Sequence, residues 1–276
     1  MKTVLKWAGS KVRIIETLKQ HLPAGQRLVE PFAGSCAVMM NTNYPEYLIA
    51  DINPDLINLY RAIKSNPDQF ITVASELFAC GNTSESYYEF RALFNDLDEA
   101  RLNRAALFLY LNRHCYNGLC RYNKKGEFNV PYGKLKKPYF PKAEILAFAE
   151  KAQLATFICG NYSEALKAAQ TGDVVYCDPP YLTETANFTA YHTSGFGHEE
   201  HGRLARAARR LAGQGVPVVL SNSDAEMVHY LYKDFSISRI TAPRSIGAAA
   251  GSQKSALELI IKSSKINGED ELCPIK

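Results

Sequence analysis

The chain has 276 residues, 46% of them hydrophobic and 22% charged, with a net charge of +4, enough for one full α/β core or for one domain with a sizeable insertion. No apolar run approaches the ~20 residues of a membrane span, and "MKTVLKWAGSK" lacks the apolar core of a signal peptide, so a cytoplasmic protein is expected. Seven cysteines, an odd number without a C-x-x-C pair, argue against a disulfide framework and against a zinc site; reduced, mostly buried thiols and no metal are expected.

In chain order, "RLVEP" (27–31) and "YLIAD" (47–51) are short β-rich runs joined by a segment containing Gly34. "INPDLINLYRAIKSNP" then predicts a helix: Asn53 can cap it, Pro54 suits its first turn, and Leu56, Leu59, Tyr60 and Ile63 share a face. The βα rhythm stops between Asn53 and about Glu144, where a helix in "EARLNRAALFLYLNRH" and a turn-rich hairpin in "YNKKGEFNVPYG" predict an inserted or flanking domain. It resumes with strands in "LATFI", "DVVYC", "VPVVLS", "FSISRI" and "ALELIIK" and helices in "EEHGRLARAARRLAG" and "AEMVHYLYKD". Five strands read as parallel β-α units, and the last two read as an antiparallel pair. The end, "SSKINGEDELCPIK", reads as a polar tail.

Charge is concentrated in one segment. Ten Lys or Arg stand between Arg101 and Lys142 against one acid, Glu127, while the remainder of the chain has a net charge of −5. Eight aromatics share the segment, among them Tyr116, Tyr122, Tyr132 and Tyr139. Interleaved cations and rings suit phosphates and unstacked bases; the alternative is a solvated basic face.

Two turns carry chemistry. After the first strand, "VEPFAGSCAV" has a glycine turn where backbone can approach a ligand, and Asp51 ends the second strand about 20 residues on. An acid there can bind the two hydroxyls of a ribose. With one glycine the pyrophosphate cradle of G-x-G-x-x-G is missing, which favours S-adenosylmethionine over NAD; a plain βα turn with a surface Asp is the alternative. The second turn is "VVYCDPPYLTE": a strand buried on both faces ends at Pro179-Pro180, so Asp178 and Tyr181 project from the carboxyl edge, where open α/β sheets bind ligands.

Taken in order, "LKWAGSK", "VEPFAGSCAV", "YLIADIN", "LFLYLNRHCYNGLCRYNKKGEFNVPYG" and "YCDPPY" closely resemble the Dam-type DNA adenine N6-methyltransferases, over nearly the whole chain. The resemblance implies a three-layer, Rossmann-like, S-adenosylmethionine-dependent α/β methyltransferase with an inserted helical and β-hairpin DNA-recognition domain. Residues 1–53 and 145–270 would form the catalytic and cofactor domain and 54–144 the target-recognition domain. It implies a DPPY catalytic motif, Asp178-Pro179-Pro180-Tyr181, in which the Asp178 carboxylate and the Pro179 carbonyl accept the amine hydrogens of an adenine flipped out of duplex DNA and Tyr181 stacks on the base. Trp7, Lys11, Phe32, Gly34, Asp51 and Asp178 match cofactor-binding positions. In the recognition block, Tyr116 matches an aromatic that fills the gap left by the flipped base, Asn117 steadies it, and Leu119 with Pro131 matches apolar base contacts. Lys6 and Arg121 match base readers; Lys134, where the family has Arg, is expected to make a simple charge contact to DNA, and Lys136, paired with Lys137, to hold phosphate. For Trp7 the alternative is a core position, and for Tyr116 and Leu119 hairpin packing.

By the same resemblance the sequence read is GATC, in the cytoplasm and at the nucleoid. No protein partner is indicated, and a monomer is the simplest expectation. The chain departs from the family where Ser35-Cys36 replace a second glycine, where "KWAGGK" has become "KWAGSK", and where Lys134-Leu135 follow "NVPYG". Cytosine N4 methylation uses the same geometry but more often has Ser at the Asp178 position; a DNA-reading pseudoenzyme is raised by Ser35-Cys36 alone. The loop 185–196 is expected to cover the site, with His192 and His198 as surface residues.

Overall fold

The computed structural model describes residues 1–97, 102–182, 196–243 and 255–263. Seven strands form one sheet: β1 (Arg27–Glu30), β2 (Glu46–Asp51), β3 (Ala155–Cys159), β4 (Asp173–Cys177), β5 (Val218–Ser223), β6 (Ser236–Pro243) and β7 (Ser255–Lys262). Their order is β3-β2-β1-β4-β5-β7-β6. The first five in this order run parallel, as the sequence predicts, and β6 pairs with β7 antiparallel. The sequence left open where that hairpin would join; β7 inserts beside β5, antiparallel to it, and leaves β6 at the edge.

Alternation along the strands sorts side chains into two cores. One face carries Leu28, Ile49, Tyr176, Val219 and Ile260. The other carries Val29, Leu48, Ala50, Val175, Cys177 and Ile261, covered by α7 (Tyr162–Lys167), α8 (His198–Gly213) and α9 (Glu226–Leu231), which contribute Ala165, Leu204, Leu211 and Val228. All five residues of β4 are buried, and its one charge, Asp173, is met by the Arg27 guanidinium at 2.7 Å.

The helices on the first face are α1 (Ile15–Lys19), α2 (Pro54–Ser65), α3 (Pro67–Cys80), α4 (Ser84–Asp96), α5 (Leu102–His114) and α6 (Lys142–Ala152). α2 is built as its sequence predicts: the Asn53 side chain accepts from the Asp55 and Leu56 amides, Pro54 opens the helix, and Leu56, Leu59, Tyr60 and Ile63 are buried. α3 repeats this start with an Asn66 cap and Pro67, and Thr83 caps α4. α5 is buried from Ala105 to His114, which explains why its sequence lacks a polar stripe. Residues of α2 to α6 and of the sheet share one apolar cluster.

The hairpin after α5 has two isolated antiparallel bridges, Cys115 to Tyr132 and Tyr122 to Phe128. Tyr122 donates to Asp55 Oδ2 at 2.7 Å, and Asp55 Oδ1 receives Arg104 at 2.6 Å, so the hairpin is tied to the start of α2. None of the six described cysteines is in a disulfide; Cys80 and Cys159 are exposed, so the thiols are less buried than their sequence suggested. Among the described residues no helix is long and apolar enough to cross a membrane, and no group of three or more His, Cys, Asp or Glu could hold a metal ion.

Candidate active site

Strand order reverses between β1 and β4, a topological switch point where open α/β sheets take ligands at the carboxyl edge. The turn after β1 and the DPPY segment after β4 flank that point, with Asp51 ending β2 beside them. The glycine turn is built around Asp51. Its Oδ2 accepts the Gly34 amide and its Oδ1 the Asn53 amide, each at 3.0 Å. Burial raises the Asp51 pKa above the ordinary carboxylate range, and these backbone donors pull it back. Each oxygen keeps further acceptor capacity for a ligand hydroxyl.

Gly34 has φ +46°, and a Cβ there would meet the Trp7 indole at 2.8 Å, so the absent side chain is what lets Trp7 pack on the turn. Tyr60 donates to the Gly34 carbonyl from below. The two serines that depart from the family pattern meet each other: Ser10 Oγ and Ser35 Oγ are 2.9 Å apart. Cys36 adopts φ +54°, left-handed backbone for a residue with a Cβ, and is fully buried.

Beyond the turn lies a cavity of about 200 Å³ whose lining includes Phe32, Asp51, Asn161, Tyr162, Pro180 and Phe196. Phe32 and Tyr162 stack at 5.1 Å between centroids, and Phe196 meets Phe32 edge-on at 5.6 Å. Flat rings beside a ribose-type acid suit an adenosine.

At the end of β4, Lys11 Nζ lies 2.9 Å from Asp178 Oδ1, donates to the Gly9 carbonyl at 3.0 Å and sits 4.7 Å from the Tyr181 ring centroid. Asp178 Oδ1 is buried, and its nearest charged neighbour is the Lys11 ammonium. Burial raises the Asp178 pKa to about 6 against the opposing pull of Lys11, and Glu258 pushes it further up. Glu30, at the end of β1, is buried with Oε1 unpartnered, and burial raises its pKa to about 8.

Trp7, Lys11, Phe32, Gly34, Asp51, Asp178, Pro180 and Tyr181 therefore stand together at one sheet edge, as their sequence motifs predict. Residues 7–246 match the family profile of the D12 class N6 adenine-specific DNA methyltransferases. The chain belongs to that family. It is 54% identical to the retron Ec67 DNA adenine methylase of Escherichia coli over 95% of this chain and 92% of that protein. It is 47% identical to the DNA adenine methylase of Escherichia coli strain K12 (94% of each) and 49% identical to that of Serratia marcescens (89% of this chain, 92% of that protein). This methyltransferase takes S-adenosylmethionine as methyl donor and DNA as substrate.

The residues present fit that donor: a ring-lined cavity, an acid with acceptor capacity for ribose hydroxyls, and a turn held open by Gly34. When bound, S-adenosylmethionine supplies an electrophilic methyl on a sulfonium.

The expected DNA-contacting residues are placed as follows. Lys6 is brought against the 116–118 turn: Asn112 accepts the Lys6 amide at 2.9 Å and donates to the carbonyls of Lys6 (2.8 Å) and Gly118 (3.1 Å). Tyr116 and Asn117 are exposed, Asn117 with φ +54°, and the Tyr116 amide donates to the Pro131 carbonyl at 2.9 Å. Leu119 is half-buried against the core. Arg121 gives Nε to Asn129 Oδ1 at 2.7 Å and Nη2 to the Asn129 carbonyl at 3.3 Å, which fixes the guanidinium on the hairpin. Lys134, at φ +53°, and Lys136 are exposed.

Among the nine described cations of the basic segment, two are internal. Arg104 pairs with Asp55, and Arg113 is buried on the Val4 and Thr3 carbonyls. Sequence reading missed Glu30, Asn112, Tyr162 and Glu258. Glu258 was detectable as a lone polar residue inside an apolar run. The covering loop and His192 lie outside the described residues, whereas His198 is exposed at the start of α8.

Proposed function

We propose that this methyltransferase modifies the N6 of adenine within GATC in duplex DNA, with the adenine flipped out of the duplex to Asp178 and Tyr181. What carries the reading is the convergence of Asp178, Lys11 and Tyr181 beside the Phe32 and Asp51 cavity at the carboxyl edge of the sheet.

An exocyclic adenine amine is a poor nucleophile because its lone pair is delocalised into the ring. The Asp178 carboxylate and the Pro179 carbonyl accept its two hydrogens and leave the lone pair free to attack. The acceptor capacity that the Asp178 carboxylate keeps beside its ion pair with Lys11 supports this role. Lys11 favours the ionised form of that carboxylate against its burial, and Tyr181 gives the base a stacking surface. Positioning and fixed charges supply the rate enhancement, with no covalent enzyme intermediate. Trp7, Lys11, Phe32, Gly34, Asp51 and Asp178 hold the donor.

Residues 54–144 act as the target-recognition domain. Lys6 and Arg121 read bases, Tyr116, Asn117, Leu119 and Pro131 occupy the gap in the stack, and Lys134 and Lys136 hold phosphates. The clamp of Lys6 against the 116–118 turn supports a common reading element. The enzyme works as a monomer in the cytoplasm, at the nucleoid where its substrate lies. Methylation of duplexes containing GATC or a single-base variant tests the reading: transfer confined to adenine in GATC is expected, and equal transfer to the variants overturns the assignment of sequence.

A further inference from the structure

β7 carries a carboxylate, Glu258, among apolar neighbours. Its backbone is held from both sides, opposite Ser223 on β5 and Ile240 on β6. Alternation puts Glu258 on the same sheet face as Ile260, which packs in the cluster that also holds Tyr176, two residues before Asp178. Because β7 is antiparallel to β5, its first half reaches the edge where the parallel strands end. Glu258 Oε2 there accepts the Tyr181 hydroxyl at 2.9 Å and lies 3.9 Å from Lys11 Nζ.

The tyrosine is gripped from several directions. Its phenol tip is anchored by Glu258, and Lys11 covers one face of the ring. The next residue is fixed by Leu182 N to Asn222 Oδ1 at 3.3 Å and Ser223 Oγ to the Leu182 carbonyl at 2.5 Å. Of these contacts, the phenol bond is the one that acts at the end of the ring, where the lever arm about the side-chain torsions is longest. A ring free to swing would present a base to Asp178 in the productive geometry only part of the time, and small misplacements cost large factors in rate.

We propose that Glu258 is a positioning residue for methyl transfer, holding the Tyr181 ring in the plane on which the target adenine stacks beside Asp178. This rests on the role given above to Tyr181. Since the action runs through one hydrogen bond, Glu258→Gln, which keeps an acceptor oxygen, rescues what Glu258→Ala loses, and Tyr181→Phe, which keeps the ring, imitates the loss.

The test is single-turnover methyl transfer to a duplex containing GATC by wild type, Glu258→Ala, Glu258→Gln, Tyr181→Phe and the Glu258→Ala/Tyr181→Phe double variant. It is paired with cofactor calorimetry and with the fluorescence of 2-aminopurine at the target position. Glu258→Ala and Tyr181→Phe are each expected to slow transfer about tenfold with dissociation constants within about threefold of wild type. Glu258→Gln should return to within about threefold of wild type, and the double variant should be no slower than either single one by more than about twofold. The flipped 2-aminopurine should be brighter in Glu258→Ala, because a loosely held ring quenches it less. Additive losses in the double variant, or a Glu258→Gln as slow as Glu258→Ala, would overturn the proposal. A Tyr181→Ala variant at full rate would instead overturn the role of Tyr181 itself, whatever Glu258 does.

Discussion

Asp178 carries a chemical demand and an electrostatic handicap in the same side chain. In its proposed role it must be ionised to accept the amine hydrogens, yet burial lifts its pKa to about 6 even with Lys11 alongside. The rate should therefore fall as pH drops through about 6, well above the ordinary carboxylate range; a pH profile of single-turnover transfer checks this. Asp178→Ala should lose more than about 100-fold in rate while duplex binding persists, since one such contact is worth ~3 kcal/mol or more in the transition state. Asp51→Ala should weaken S-adenosylmethionine by roughly 1.5 to 3 kcal/mol in calorimetry. That loss combines the ribose contact with the Gly34 and Asn53 amides that Asp51 also secures. At Cys36 two effects oppose each other: glycine relieves the left-handed backbone at φ +54° but empties a fully buried site. Cys36→Gly should melt within a few degrees of wild type and bind the donor at least as well.

The proposed reading element joins segments far apart in sequence, the loop at Lys6 and the turn at 116–118, and Asn112 on α5 is the joint. Gly118 has φ +67°, and a Cβ there would stand 2.4 Å from Lys6 Cβ. Gly118→Ala should therefore displace Lys6, reducing discrimination between GATC and single-mismatch duplexes more than it reduces nonspecific affinity; binding titrations on both kinds of duplex measure this. Arg121→Ala should likewise cost about 1 to 3 kcal/mol at the preferred site and relax one base pair. Lys136→Ala, on an exposed lysine, should weaken all sequences alike and flatten the slope of log K against log salt by about 1. At this scale the sequence is a good guide wherever local rules decide: the Asn53 and Pro54 start of α2, the buried run of β4, the chain exit at Pro179-Pro180. It is a poor guide wherever partners come from across the chain. Nothing near Glu258 points to Tyr181, and Arg104 and Arg113 read as surface cations until Asp55 and the Val4 carbonyl are seen to take them.

The whole molecule gathers four carboxylates, Glu30, Asp51, Asp178 and Glu258, at one sheet edge, and that has a thermodynamic cost with a definite sign. Glu30 has its folded pKa raised by burial to about 8, so the folded state holds a proton that the unfolded state has lost. Its contribution to stability is fully present below the unfolded value and is lost as pH rises toward 8. His114 and His201 act oppositely, with folded values lowered to about 4 by burial, so they weaken the fold only as pH falls below about 6.5. Between pH 6.5 and 8 the Glu30 effect should dominate: melting temperature should fall across that window in wild type and much less in Glu30→Gln. The five parallel strands and the terminal hairpin are legible from pattern, whereas the seat of β7 beside β5 is not, because strand order depends on contacts that no local run encodes. That seat brings Glu258 to the site and completes the ring of groups around Asp178. The most direct test of the central claim is to incubate unmethylated plasmid with S-adenosylmethionine and either wild type or Asp178→Ala, then map modified bases by sequencing and by mass analysis of the digested DNA. The account predicts N6-methyladenine confined to GATC with wild type and none with Asp178→Ala; methyl groups on cytosine, or adenine methylation undiminished in Asp178→Ala, would contradict it.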